Sequence, residues 1–157
     1  MPAAELDITP DLVRRLLQAQ QPDLAGRPIE LMANGWNNVV YRLGSELLVR
    51  LPRREIAANL VVHEQRWLPV LQARLPLPIP APVRIGNPDL GYPWSWSVVP
   101  FLPGQVAAQN PPPDLRDAAV VMAEFLAALH TPAPPHAPVN ASRWRTAARL
   151  SSRTSPR

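Results

Sequence analysis

Apolar positions recur at helical spacing over Leu12, Val13, Leu16 and Leu17, directly after Thr9-Pro10-Asp11. A threonine N-cap, a proline in the first turn and an acid near the positive helix end predict a short helix ending near Gln21, before Pro22. Alternation then takes over. Ile29 and Leu31 alternate with Glu30 and Met32, which predicts a strand over residues 28–33. Two further strands are predicted over residues 38–43 and 46–51, joined by Gly44-Ser45, a pair suited to a two-residue hairpin turn. In the second of them Leu47, Val49 and Leu51 share one face, and Leu48 and Arg50 the other.

Pro52-Arg53-Arg54-Glu55 opens a predicted helix of about four turns, with Ile56, Leu60, Val61, Glu64, Trp67, Leu68 and Leu71 near one side. Pro69 is expected to kink or end it. The run LPLPIPAP over 75–82 reads as a polyproline-like connector. A fourth strand is predicted at 83–86, turn signals crowd 87–93, and WSWSVVPF over 94–101 reads as a central strand that Pro100 brings to its end. Trp94 and Trp96 read as packing residues. The last predicted helix spans 114–130, capped by Asp114 and stopped by Pro132. Leu115, Ala119, Met122, Phe125, Leu126 and Leu129 form its apolar stripe. This order implies an α+β domain, a mainly antiparallel five-stranded sheet packed by the crossing helix.

Composition narrows the picture. With 157 residues and 46% apolar content the chain can bury one core. Its 22 prolines gather in stiff connectors, and the absence of cysteine excludes disulfides and thiolate metal sites. The three histidines, His63, His130 and His136, have no metal-ligand spacing. All 16 cations are arginine, which points to GC-rich coding. The formal charge of +4 is unevenly placed. Residues 1–139 hold eleven arginines against twelve acids, whereas 140–157 hold five arginines and no acid. A near-neutral body without a basic stripe argues against nucleic acid as a partner. No leader pattern and no membrane-length apolar run occur, so a cytoplasmic location without membrane association is expected.

The candidate chemistry lies in 34–51. Gly35, Trp36, Asn37 and Asn38 form a polar turn. Glycine and asparagine tolerate positive φ, so such a turn can aim N–H groups at an anion; read locally, it is equally an ordinary β-turn. Arg50 on a strand and Glu64 on a helix can pair as the strand lysine and helix glutamate of kinases do. Alone, they also read as an edge cation and a solvated carboxylate. Together with the turn they are taken as a phosphate-holding pair, because a guanidinium can bridge carboxylate and phosphate. The apolar strand end at Val98, Val99, Phe101 and Leu102 can offer backbone groups to a purine edge, although much of it is core in any case.

GWNNVVYRLGSELLVRLPRR, GYPWSWSVVPFLPGQ and MAEFLAALHTP resemble the aminoglycoside phosphotransferase family over residues 9–138 or so. The resemblance implies a protein-kinase-like fold and transfer of the ATP γ-phosphoryl group, with Mg²⁺, to a small-molecule hydroxyl. It also implies a nucleotide loop at Gly35, Trp36, Asn37 and Asn38, and the pair Arg50 and Glu64. A hinge holding adenine would lie at Val99, Phe101 and Leu102. The implied organisation is a nucleotide-binding N-lobe over 1–104, a linker and first C-lobe helix over 105–139, and a basic, disordered tail over 140–157.

One departure limits this. The family's catalytic HGD-type motif and its metal-binding Asp have no counterpart here, and no acid follows Glu124. No catalytic residue is therefore assigned, and an inactive, truncated or frameshifted chain is expected. The composition of 140–157 fits GC-rich DNA read out of frame; a real basic segment is the alternative. Two other readings remain: a non-catalytic nucleotide-binding or regulatory module, and a fragment that self-associates through an exposed sheet face.

Overall fold

The computed structural model describes residues 5–138. The expected disordered tail over 140–157 lies outside them. Eight elements follow in order: α1 (Pro10–Gln20), β1 (Ile29–Asn34), β2 (Asn38–Leu43), β3 (Leu47–Pro52), α2 (Glu55–Gln72), β4 (Arg84–Gly86), β5 (Trp96–Pro100) and α3 (Leu115–Leu129). The strands form one sheet in the order β1-β2-β3-β5-β4, antiparallel throughout. The predicted α+β architecture is the observed one.

Strand alternation divides the sheet into two faces. On one, Val39, Tyr41, Leu43, Val49, Leu51, Trp96 and Val98 are buried together with Leu12, Val13, Leu16 and Leu17 of α1. Each such side chain contributes about 1.5–3 kcal/mol by leaving water. Thr9 caps α1 as read, its hydroxyl accepting from the Leu12 N–H at 3.2 Å. The other face carries Val40, Arg42, Leu48, Arg50, Ser97 and Val99, and α2 crosses it. The larger core thus lies under α1, and the crossing helix covers the face that bears Arg50.

Several local expectations are corrected. α2 does not end at Pro69 but continues to Gln72; a proline forfeits one helical hydrogen bond, and the following turn still closes. Its sheet-facing side is Ala57, Val61, Glu64, Gln65 and Leu68, while Ile56 and Leu60 face solvent. Small side chains let the helix approach a sheet face that already bears arginine. Leu43 pairs with Leu47, so the β2–β3 turn has three residues rather than two. Gly44 adopts φ +62° there, and the Arg42 guanidinium donates to the carbonyls of Gly44 and Ser45. In β1 a bulge at Met32 interrupts the alternation, and Leu31 and Met32 are both exposed on this edge strand.

Exposed large apolar residues collect on α3 (Leu115, Val120, Val121, Met122, Leu126), on the outer flank of α2 and on the edge strands of the sheet (Leu31, Met32 and Ile85), whereas Val99 near the sheet centre is buried. No helix among the described residues is long and apolar enough to cross a membrane.

Two buried phenols make a prediction. The Tyr92 hydroxyl donates to the Pro52 carbonyl at 2.8 Å, and Tyr41 to that of Ile8 at 2.6 Å. Burial raises the Tyr92 pKa; burial, then the nearby Asp7 charge, raises that of Tyr41. The folded chain therefore keeps both phenols neutral at a pH where the unfolded chain ionises them. Stability is unaffected by them below pH ~10 and falls above it, for Tyr92 by up to about 1.4 kcal/mol per pH unit and for Tyr41 in the same direction. Urea midpoints between neutral and strongly alkaline pH check this, and Tyr92→Phe is expected to remove its share of the slope.

Candidate functional site

β2, β3 and β5 bring the site together by register. Arg50 pairs with Val40 on β2 and with Ser97 on β5; Leu48 pairs with Arg42 and with Val99. These six residues form two adjacent rows on the α2 face. Arg50 reaches Glu64 with Nη1 to Oε2 at 3.0 Å and Nη2 to Oε1 at 3.5 Å. The guanidinium side chain is 22% exposed and the carboxylate 34%. The pair is partly shielded yet open on one side, the situation in which a cation can still meet an incoming anion.

Gln65 fixes the rotation of α2 about its axis. Its amide donates to the Trp96 carbonyl at 2.9 Å and to Ser97 Oγ at 3.1 Å. With α2 pinned to β5 at residue 65, the neighbouring Glu64 is held over β3. The sequence reading overlooked Gln65, and no periodic signal marks it. It also overlooked Val40, which the observed three-residue turn, and not the expected two-residue one, sets beside Arg50.

The loop between β1 and β2 is Gly35-Trp36-Asn37. The expected use of positive φ is corrected: among the described residues it occurs at Gly44, Leu90 and Gly91. The Gly35 N–H is engaged, donating to the Asn38 carbonyl at 2.9 Å. The N–H groups of Trp36 and Asn37 donate to no protein group among the described residues. Trp36 is 62% exposed at the tip. Asn38 projects on the face of Val40 and Arg50, and its buried Oδ1 has no partner. An unpaired buried acceptor of this kind calls for a donor, such as a water, to satisfy it.

The strand end at the far side is organised differently from the expectation. Val99 is buried and pairs with Leu48, so it forms the floor of the apolar row. The Phe101 N–H is turned back to the Glu46 carbonyl at 2.7 Å, and the Arg42 guanidinium lies 3.3 Å over the Phe101 ring. Leu102 follows, half-exposed, and its N–H donates to no described group. Of the hinge residues, only Leu102 therefore keeps a free donor.

The model of the Phosphotransferase enzyme family matches residues 28–155, most of the chain. The chain belongs to the phosphotransferase enzyme family. The match reaches into the segment that the sequence reading set apart as a tail. No curated protein matches this phosphotransferase-family chain in sequence. Among solved structures it is similar to the GDP and kanamycin complex of APH(2")-IIia, with 24% identity and a TM-score of 0.65 over 74% of this chain and 40% of that one. The ADP-bound aminoglycoside phosphotransferase APH(2'')-Ib aligns with 15% identity and a TM-score of 0.59, over 81% of this chain and 41% of that one. The streptomycin-ATP-APH(2")-IIa ternary complex aligns with 14% identity and a TM-score of 0.53, over 83% and 42%. The chain thus spans about 40% of the length of these structures, and its fold is their kinase-like N-terminal lobe.

Proposed function

We propose that this phosphotransferase-family chain supplies the nucleotide half of an ATP-dependent phosphotransferase site. The Arg50–Glu64 pair, held on the same face as Asn38 and beside two unengaged loop N–H groups, carries the reading. Arg50 would meet the β- and γ-phosphate charge while Glu64 keeps its fork in place; Trp36, Asn37 and Asn38 would offer donors to the phosphates. The purine would lie on Val40, Leu48 and Val99, with Leu102 N–H at its edge. The aminoglycoside phosphotransferases of similar fold in complex with GDP, ADP or ATP support nucleotide use, and their kanamycin and streptomycin complexes support a small-molecule hydroxyl acceptor.

Phosphoryl transfer itself needs metal-held charge and a group that orients the hydroxyl. The described residues bring no three His, Asp or Glu side chains together, and no acid follows Glu124 in the sequence. No residue of this chain is assigned to Mg²⁺, and no step is derived through one. We infer binding without turnover for residues 1–157 alone. Self-association of this chain, where it occurs, would use the exposed stripe of α3.

Calorimetric titration of the purified chain with ATP is the test. Saturable one-to-one binding in the micromolar to millimolar range is expected, with no phosphate transferred to an aminoglycoside. Absence of binding would sink the first half of the reading, and transfer by this chain alone the second.

A further inference from the structure

Arg53 is a charged residue only 8% exposed, and its Nε has no partner. Its Nη1 donates to Asn34 Oδ1 at 2.6 Å and to the Gly35 carbonyl at 3.2 Å. Its own N–H donates to the Asn37 carbonyl at 3.0 Å. One residue thus grips both limbs of the β1–β2 loop, the entry through its side chain and the exit through its backbone. A buried guanidinium with an unpaired N–H is an expensive way to hold a hairpin, which an apolar side chain could pack as well.

Peptide planarity shows what the charge achieves. In a trans peptide the C=O and the next N–H point in opposite directions. Drawing the Gly35 carbonyl toward Arg53 therefore turns the Trp36 N–H away from it. Drawing the Asn37 carbonyl inward turns the Asn38 N–H outward likewise. Two of the loop's three carbonyls, those of Gly35 and Asn37, which would repel a phosphate, thus face Arg53, and the N–H groups that follow them, those of Trp36 and Asn38, are turned the opposite way. The same stretch is tied to α2. The Arg53 carbonyl accepts from the Glu5 N–H at 3.1 Å, and the Glu5 carboxylate accepts from the Glu55 N–H at 2.9 Å. Arg53 also stands three residues beyond Arg50, so loop and phosphate cation are set by one continuous segment.

From this we infer that Arg53 is a positioning residue for phosphate binding, acting on the loop and not on the ligand. The inference rests on the reading of the 34–38 loop as the phosphate loop.

Arg53→Met and Asn34→Ala each remove the side-chain anchor. Tyr41→Phe serves as a control, deleting a buried hydrogen bond that does not touch the loop. Affinities for ATP and for adenosine are measured for each variant at a temperature where all are folded. The two loop variants are expected to lose ATP affinity by about tenfold or more while adenosine affinity stays unchanged; Tyr41→Phe is expected to alter neither. Equal losses for ATP and adenosine, or the same ATP loss in Tyr41→Phe, would assign Arg53 to general stability and overturn the inference. Amide exchange at Gly35 adds a readout free of nucleotide: faster exchange in Arg53→Met supports the anchor, and unchanged exchange overturns it. Failure of the wild-type chain to bind ATP overturns the nucleotide reading itself, whereas ATP binding that ignores Arg53→Met overturns only the positioning role.

Discussion

Gly86→Ala is expected to destabilise the chain by more than about 3 kcal/mol, enough to abolish a cooperative melt at physiological temperature. Gly86 pairs with Trp96 across β4 and β5. A Cβ at Gly86 would stand 1.8 Å from Cε2 of the Trp96 ring and 2.2 Å from Cδ2. The ring has no room to withdraw. Trp96 is fully buried in the cluster that includes Leu16, Leu17 and Val98, and its indole N–H is held by the Asn87 carbonyl at 3.2 Å. The added methyl must therefore push β4 off the sheet or drive the indole out of the core. Gly104→Ala is the matched control, since nothing lies within 4 Å of a Cβ there and its φ is ordinary; a change within about 0.5 kcal/mol is expected. Urea melts followed by tryptophan fluorescence compare the two. Matching midpoints would mean that the ring does not lie on Gly86.

The second large effect concerns binding. Arg50→Met is expected to weaken ATP affinity at least about tenfold, equivalent to ~1.4 kcal/mol, because it removes the cation proposed to meet phosphate charge in a partly shielded site. Adenosine, which carries no phosphate, should bind as before. Folding should change little. Glu64 is 34% exposed and rehydrates once its partner is gone, and half-exposed pairs contribute only ~0–1 kcal/mol. Arg50→Lys separates charge from shape: a lysine keeps the charge but cannot fork between carboxylate and phosphate. It should fall between the parent and Arg50→Met. Calorimetric titration reads all three. Unchanged ATP affinity in Arg50→Met would remove Arg50 from the proposed site.

Several elements were legible because their signals are local. The Thr9 cap and Pro10 start of α1, its Leu12-Val13-Leu16-Leu17 face and the alternation of β3 follow from nearest-neighbour geometry. The same alternation set Leu48 and Arg50 on one face. Glu64 was readable as the partner of Arg50 as a carboxylate on the helix that follows the strand, taken together with the turn at 35–38, although nothing within α2 alone marks it. The β2–β3 turn was misjudged by one residue because Gly44 tolerates positive φ in either turn length, and the deciding grip of Arg42 on two carbonyls is a tertiary detail. The face of α2 was misjudged because Ile56 and Leu60 are as apolar as the residues that are buried. What a helix buries depends on which side can approach a sheet already carrying Arg50 and Ser97.

Periodicity, caps and turn chemistry thus determined the eight elements, since each acts over a few residues, while the strand order β1-β2-β3-β5-β4 was decided by the tertiary structure. Burial of charge did not follow from them. Arg53 and Arg54 are adjacent and alike in sequence, yet Arg53 is buried against the β1–β2 loop while Arg54 reaches Glu5. Only the packed sheet decides which of the two faces Asn34. Composition marks the 35–38 loop only as a polar turn, and what holds it is visible only once residues nineteen apart in sequence are side by side.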